Sequence, residues 1–96
     1  MLGDVGIVPS VKADGSVDLN NVIGNISYYF DDSRPLNSPG GVGYGLFEQK
    51  QKGRLRYQEW LDWSTDEAIV YYRYLWNTNN VWTPAGAWKK VTTVSV

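Results

Sequence analysis

The stretch "RLRYQEWLDW", from Arg54 to Trp63, alternates with a period of two. Leu55, Tyr57, Glu59 and Leu61 share one face, and Arg54, Arg56, Gln58, Trp60 and Asp62 share the other. Neither face is purely apolar, so the pattern predicts a strand with one packed face and one partly wet face. "AIVYYRYLW", Ala68 to Trp76, is richer still in β-branched and aromatic residues. It places Ile69, Tyr71, Arg73 and Leu75 opposite Val70, Tyr72, Tyr74 and Trp76. "NISYYF" at Asn25 to Phe30 and "VGYGLFEQKQ" at Val42 to Gln51 read as two further strands. In the second of these, Gly43 and Gly45 flank Tyr44 and permit a bulge or a close backbone approach. A short piece at Val81 and Trp82 and a last strand over Ala87 to Val94 complete the set.

Turn chemistry separates these segments. Asp31 to Gly41 is rich in Asp, Ser, Asn, Pro and Gly and reads as a loop. Gly53, "STDE" at Ser64 to Glu67 and "NTNN" at Asn77 to Asn80 mark corners. The one helical candidate is a single turn at "DLNNVI", with Asp18 as N-cap. Short strands at regular spacing predict a mainly β fold: a small antiparallel sheet, or a sandwich-like knob. The Gly-, Asp- and Val-rich start, with its Asp14-Gly15 turn signal, reads as an extended N-terminal arm over residues 1–17, with a short strand on each side of the turn and a role as linker or inter-subunit contact. The β domain then occupies residues 18–96.

Composition narrows what such a sheet can do. With 96 residues the chain is one domain at most, and 15% aromatic content gives a few large rings much of the core. A formal net charge of -1 argues against nucleic acid as a partner. Lys50, Lys52, Arg54 and Arg56 read as solvated hairpin charges rather than a binding patch. The chain has no cysteine and no histidine, which removes thiolate chemistry, Ser-His-Asp chemistry and His-bearing metal sites. No apolar run approaches the roughly 20 residues of a membrane-spanning helix, so membrane insertion is not expected. The N-terminus lacks the basic and apolar regions of a signal peptide.

Candidate chemistry is sparse. Glu59 with Asp62 falls on opposite strand faces, and Asp66 with Glu67 falls in a turn, so neither pair reads as a hydrolase dyad. Catalytic residues, metal ligands and cofactors are therefore not expected. Asp14 and Asp18 offer only two carboxylates where a calcium loop needs more. Carbohydrate binding is the live option, because aromatic rings stack on sugar faces while amides bond the hydroxyls. Trp76, Asn77, Asn79, Asn80 and Trp82 form such a mixture and are the candidate ligand site.

The order of motifs carries a resemblance. "DLNNVIGNISYYF", then "PGGVGYGLFEQ", then "RYQEW", then "VYYRYLWNTNNVWTPAGAWKKV" follow one another over about residues 18 to 91. This resembles the pyocin-knob domain of bacteriophage tail fibres and phage-tail-like bacteriocins. Tyr44, Gln58, Trp60, Tyr72, Arg73 and Trp88 carry the signature and are expected as packed scaffold, with Tyr74 beside Tyr72. Two departures alter the terminal hairpin: "TPAGA" separates Trp82 from Trp88, and "NTNN" replaces the family's Asn-Gly turn. The resemblance implies a non-enzymatic structural or receptor-binding module of a tail fibre or other virion appendage. It further implies a homotrimer, contacts with other virion proteins, and host cell-surface polysaccharide as a candidate partner. The competing expectations are a capsid or baseplate adaptor anchored by its N-terminal arm, and a monomeric carbohydrate-binding module.

Overall fold

The computed structural model describes residues 10–39, 43–64 and 69–91. The fold is mainly β, with β1 Ser10–Lys12, β2 Ile26–Phe30, β3 Gly45–Lys52, β4 Leu55–Asp62, β5 Ile69–Thr78, β6 Val81–Pro84 and β7 Lys89–Lys90. They form one sheet in the order β1-β2-β3-β4-β5-β6, with β7 also paired to β5. The β2–β3, β3–β4 and β4–β5 pairs are antiparallel, as the alternation predicts. The β1–β2 pair is parallel, so the sheet is mixed.

The parallel pair changes the reading of the N-terminus. Within the extended arm, Ser10 to Lys12 form a short strand just before the Asp14-Gly15 turn. Ser10 to Lys12 pair with Ser27 to Tyr29, and the Ala13 amide donates to the Tyr29 carbonyl at 2.9 Å. Parallel neighbours need a crossover of about a dozen residues, and the chain between β1 and β2 supplies it. Met1 to Pro9 lie outside the described residues, as do Asp66, Glu67 and the end of the last predicted strand.

This crossover contains no helix. Asp18 instead closes an Asx turn: its Oδ1 accepts from the Asn20 amide at 2.9 Å, and its carbonyl from the Asn21 amide at 2.9 Å. The side chain that would cap a helix thus satisfies a turn. The crossover is laced to the 31–39 loop by Leu36 N–H to Val17 O (2.8 Å) and Leu19 N–H to Leu36 O (3.0 Å). Asn37 Nδ2 adds a bond to Asp18 Oδ1 at 2.7 Å.

Both loops cover the same side of the sheet, here called the inner face. Leu19 and Val22 from the crossover meet Phe30, Phe47 and Trp60 from the strands in one buried cluster. Phe30 stacks on Trp60 with ring centroids 5.3 Å apart. Gly45 makes this possible, because a Cβ there would lie 2.0 Å from Trp60 Cζ2. Beside the aromatic row runs a polar one. Gln49, Gln58 and Arg73 are cross-strand neighbours, all buried. Gln58 Nε2 donates to Leu19 O (2.6 Å) and Gln49 Oε1 (2.8 Å), and Gln49 Nε2 donates to Val22 O and Gly24 O (2.9 Å each). Loop carbonyls thus find their donors in the sheet, as buried polar groups require.

The remaining hairpins follow their turn residues. Lys52 pairs with Leu55 across Gly53 and Arg54, with Gly53 at φ 58°. Thr78 pairs with Val81 across Asn79 and Asn80, whose φ values of 55° and 65° both lie in the left-handed region. That is the type I′ geometry, which Asn tolerates better than other non-glycine residues. "TPAGA" joins two edge pieces: β6 leaves β5 at Pro84, turns at Gly86 (φ 125°), and β7 pairs with β5 further along.

Candidate functional site

The predicted ligand site does not hold together as one surface. Trp76 pairs with Leu55 and Thr83, whereas Trp82 pairs with Asn77, so the two tryptophans point to opposite sides of the sheet. Trp82 lies on the inner face, over the Arg56 guanidinium at 3.9 Å from the ring centroid. Its asparagine neighbours serve the turn, since Asn77 Oδ1 accepts from the Asn80 amide at 3.1 Å. Asn79 and Asn80 are exposed and supply the turn's left-handed backbone.

Arg56 also departs from its sequence reading. It is buried rather than solvated, and its Nε donates to Gln51 Oε1 at 2.9 Å. Burial lowers its pKa from the ordinary guanidinium value. Alternation sets Arg56 and Lys50 on opposite faces, so the four basic residues of this hairpin do not share one patch.

The scaffold signature fares unevenly. Trp60, Gln58 and Arg73 are buried on the inner face. Arg73 Nε donates to Gln58 Oε1 at 2.6 Å, Arg73 Nη2 donates to Asn20 Oδ1 at 2.8 Å, and Trp88 lies over the guanidinium at 4.6 Å. Burial draws the Arg73 pKa down to about 10, with Asp18 opposing the shift. Trp88 Nε1 donates to Asn37 O at 2.8 Å, which ties the C-terminal edge to the loop. Tyr72 is half-buried and Tyr44 packs edge-on to Trp63. Tyr74, expected as packed scaffold, is 47% exposed.

Tyr74 is exposed because it belongs to the other side of the sheet. Both covering loops lie on the inner face, and no described element lies over the outer one. Four rows of side chains cross that outer face. At one end Tyr29, Leu46, Leu61 and Val70 are successive neighbours, and Trp63 stacks on Tyr29 with centroids 6.0 Å apart. Tyr29, Leu46, Leu61 and Trp63 line an open depression of about 290 Å³. At the other end Tyr57 faces Tyr74, and Leu55 faces Trp76, which is 53% exposed. The rings at the two ends lie about 13 to 20 Å apart, at ~3.4 Å per strand residue. The sequence singled out Trp76, left Tyr29 and Trp63 unmarked, and gave Tyr74 as packed scaffold. Their period-two spacing with Leu46 and Leu61 was the available signal.

Between these aromatic rows lies a polar one: Ser27, Glu48, Glu59, Tyr72 and Lys89 in consecutive register. Glu48 and Glu59 face each other directly and are only 5% and 6% exposed. Like charges in this position destabilise a sheet. Tyr57 donates its hydroxyl to Glu59 Oε1 at 3.0 Å, while Glu59 Oε2 is buried with no hydrogen-bond partner. Desolvation, then the bond to Glu59, push the Tyr57 hydroxyl up to about 12. Lys50 Nζ sits 4.0 Å from Glu48 Oε1 and is half exposed, so this ion pair contributes little.

Glu59, with one carboxylate oxygen buried and without a donor, is therefore a place where the sheet gives up stability. Glu59→Gln keeps the shape, removes a buried charge and offers an amide donor toward Glu48. We expect it to raise unfolding stability by about 1 kcal/mol, read as a higher urea midpoint with unchanged slope. A lower midpoint would mean that the carboxylate itself supports the fold.

The Glu48–Glu59 pair is not Glu59 with Asp62, which the sequence rejects as a dyad and which do lie on opposite faces. Both of its carboxylates are nearly buried, with Tyr57 bonded to Glu59 and Lys50 4.0 Å from Glu48. Among the described residues no cluster of His, Cys, Asp and Glu could hold a metal ion. No protein-family model, curated protein or solved structure matches the chain.

Proposed function

We propose that the protein is a non-enzymatic structural and receptor-binding module of a bacteriophage tail fibre or other virion appendage, which meets host-surface polysaccharide through its outer sheet face. One observation carries the binding part: an aromatic sheet face that no described element covers, with Trp76, Tyr74 and Trp63 exposed around a polar row. Exposed apolar patches of this kind mark interaction sites, and rings beside carboxylates and hydroxyls suit sugars. The order of motifs from Asp18 to Val91 supports the virion setting and the expectation of a homotrimer working with other virion proteins.

The adaptor alternative required a free arm over residues 1–17. Of these residues, Ser10 to Lys12 pair with β2 and 13–17 lie in the crossover. The monomeric carbohydrate-binding module differs from the fibre reading in mass alone. Light scattering at micromolar concentration is expected to give the trimer mass, and a monomer would overturn the assembled form. Titration with host capsular and cell-wall polysaccharides, followed by tryptophan fluorescence, is expected to show saturable binding. Silence across a broad set would overturn the attachment role.

A further inference from the structure

We infer that the Tyr74–Trp76 end of the outer face takes a polysaccharide bearing uronic acids, an inference that rests on the glycan reading above. Charge complementarity carries it. The chain has a formal net charge of -1, yet its charges are sorted by depth on the sheet. The strand carboxylates Glu48, Glu59 and Asp62 are all nearly buried. The strand lysines Lys12, Lys50, Lys52, Lys89 and Lys90 are all exposed. Carboxylates are rarely buried, so hiding all three while showing every lysine leaves the strands with a cationic surface. Among the described residues the exposed carboxylates are Asp14, Asp31 and Asp32, in the crossover and the 31–39 loop. They lie where Phe30 meets Gly45, at the end of β3 opposite Lys52.

The exposed rings sit among the cations. Lys52, Leu55 and Trp76 are successive neighbours in one row, which sets Lys52 about 10 Å from Trp76 at ~4.8 Å per strand. Arg54 Nε donates to the Asn77 carbonyl at 3.0 Å, and this holds its exposed guanidinium beside Trp76. On the other side Lys89 pairs with Tyr72, two residues from Tyr74 and about 8 Å from it across the strands. Lys50 already pairs with Glu48 and is not counted. Glu48 and Glu59 lie two rows away from Trp76, about 13 Å at ~3.4 Å per residue. The charges nearest the indole are therefore cationic.

A uronate joins the two required features in one residue. Its ring face stacks on an indole or phenol, and the carboxylate on its edge takes ammonium and guanidinium donors. A neutral hexose leaves those donors to water, and an amino sugar is repelled by them. Single-stranded nucleic acid carries a charge at every residue and needs a basic groove along its backbone. Three cations around two rings, on a chain of net charge -1, do not make one.

The test is calorimetric titration of the whole chain with a galacturonate oligomer, a galactose oligomer, a glycerol-phosphate polymer and an oligothymidylate. The galacturonate oligomer is expected to bind most tightly, and to weaken as salt is added. Lys52→Gln and Lys89→Gln should each weaken it about five-fold or more, since charge-assisted hydrogen bonds are roughly twice as strong as neutral ones. Lys90→Gln, next to Lys89 but on the inner face, should leave it unchanged. Melting checks that all three variants fold. Galactose bound as tightly as galacturonate, or galacturonate binding unchanged in both outer-face variants, overturns the inference and leaves the glycan reading standing. An equal loss in Lys90→Gln reduces the effect to net charge and overturns it too. Tightest binding of the phosphate polymer or the oligothymidylate overturns the uronate assignment. Silence from every oligomer, with polysaccharide binding intact, overturns this inference alone. Silence from the polysaccharides as well overturns the two readings together.

Discussion

Replacing Gln58 by leucine is expected to cost about 3–5 kcal/mol, because it strands several buried polar groups at once. Gln58 is fully buried. Its Oε1 accepts from Arg73 Nε at 2.6 Å, and its Nε2 serves the Leu19 carbonyl and Gln49 Oε1. Leucine fills the space but supplies none of these partners. Arg73 keeps the Asn20 bond and the Trp88 ring, so the guanidinium loses only part of its shell. Urea unfolding gives the cost directly. A loss below about 1 kcal/mol, the scale of a single ordinary hydrogen bond, would mean that the polar row is not what joins loop to sheet. The contrast with Glu59→Gln is informative. Neighbouring positions on one strand are expected to respond with opposite signs, because only the inner one has a complete set of partners.

The second large effect is expected at Gly45. A methyl group there would overlap the Trp60 ring, with Cζ2 at 2.0 Å and Cε2 at 2.1 Å from the added Cβ. The ring cannot move aside freely, since it is fully buried and stacked on Phe30. Gly45→Ala is expected to lower stability by about 3 kcal/mol through overpacking. Trp60→Leu alone leaves a cavity and is also destabilising. The double variant gives the new methyl room. It should be more stable than the sum of the two losses by about 1–3 kcal/mol. Simple additivity would mean that the close approach of β3 to Trp60 is not the constraint.

Much of the strand layout was readable from the chain. Alternation from Arg54 to Asp62 and the β-branched run from Ile69 mark β4 and β5 because period-two spacing survives any later packing. Asn79-Asn80 and Gly53 mark their hairpins because few residues accept a positive φ. The parallel β1 was not readable, since three residues at an edge carry no sign of direction. The absence of a helix at "DLNNVI" was equally hidden, because Asp18 serves an Asx turn as readily as an N-cap.

The inside of the sheet was the harder question. β4 offers Arg56, Gln58, Trp60 and Asp62 on one face and Leu55, Tyr57, Glu59 and Leu61 on the other. Apolar count alone favours burying the second. The structure buries the first, because the crossover brings the Leu19, Val22 and Gly24 carbonyls to the glutamines and the Asn20 side chain to Arg73. That supply of partners is a tertiary fact. It reversed the expected roles of Tyr74 and Trp82, leaving one exposed and turning the other over a buried arginine.

The central claim is that the two faces do different work: the inner one holds the fold and the outer one meets the ligand. Trp76→Ala and Trp82→Ala, each measured for urea stability and polysaccharide affinity, test it most directly. Trp76→Ala is expected to lose affinity at least ten-fold while its stability stays within about 0.5 kcal/mol of the parent. Trp82→Ala is expected to keep the affinity and lose about 2 kcal/mol as Arg56 is uncovered. Affinity lost with Trp82 and retained without Trp76 would contradict the account.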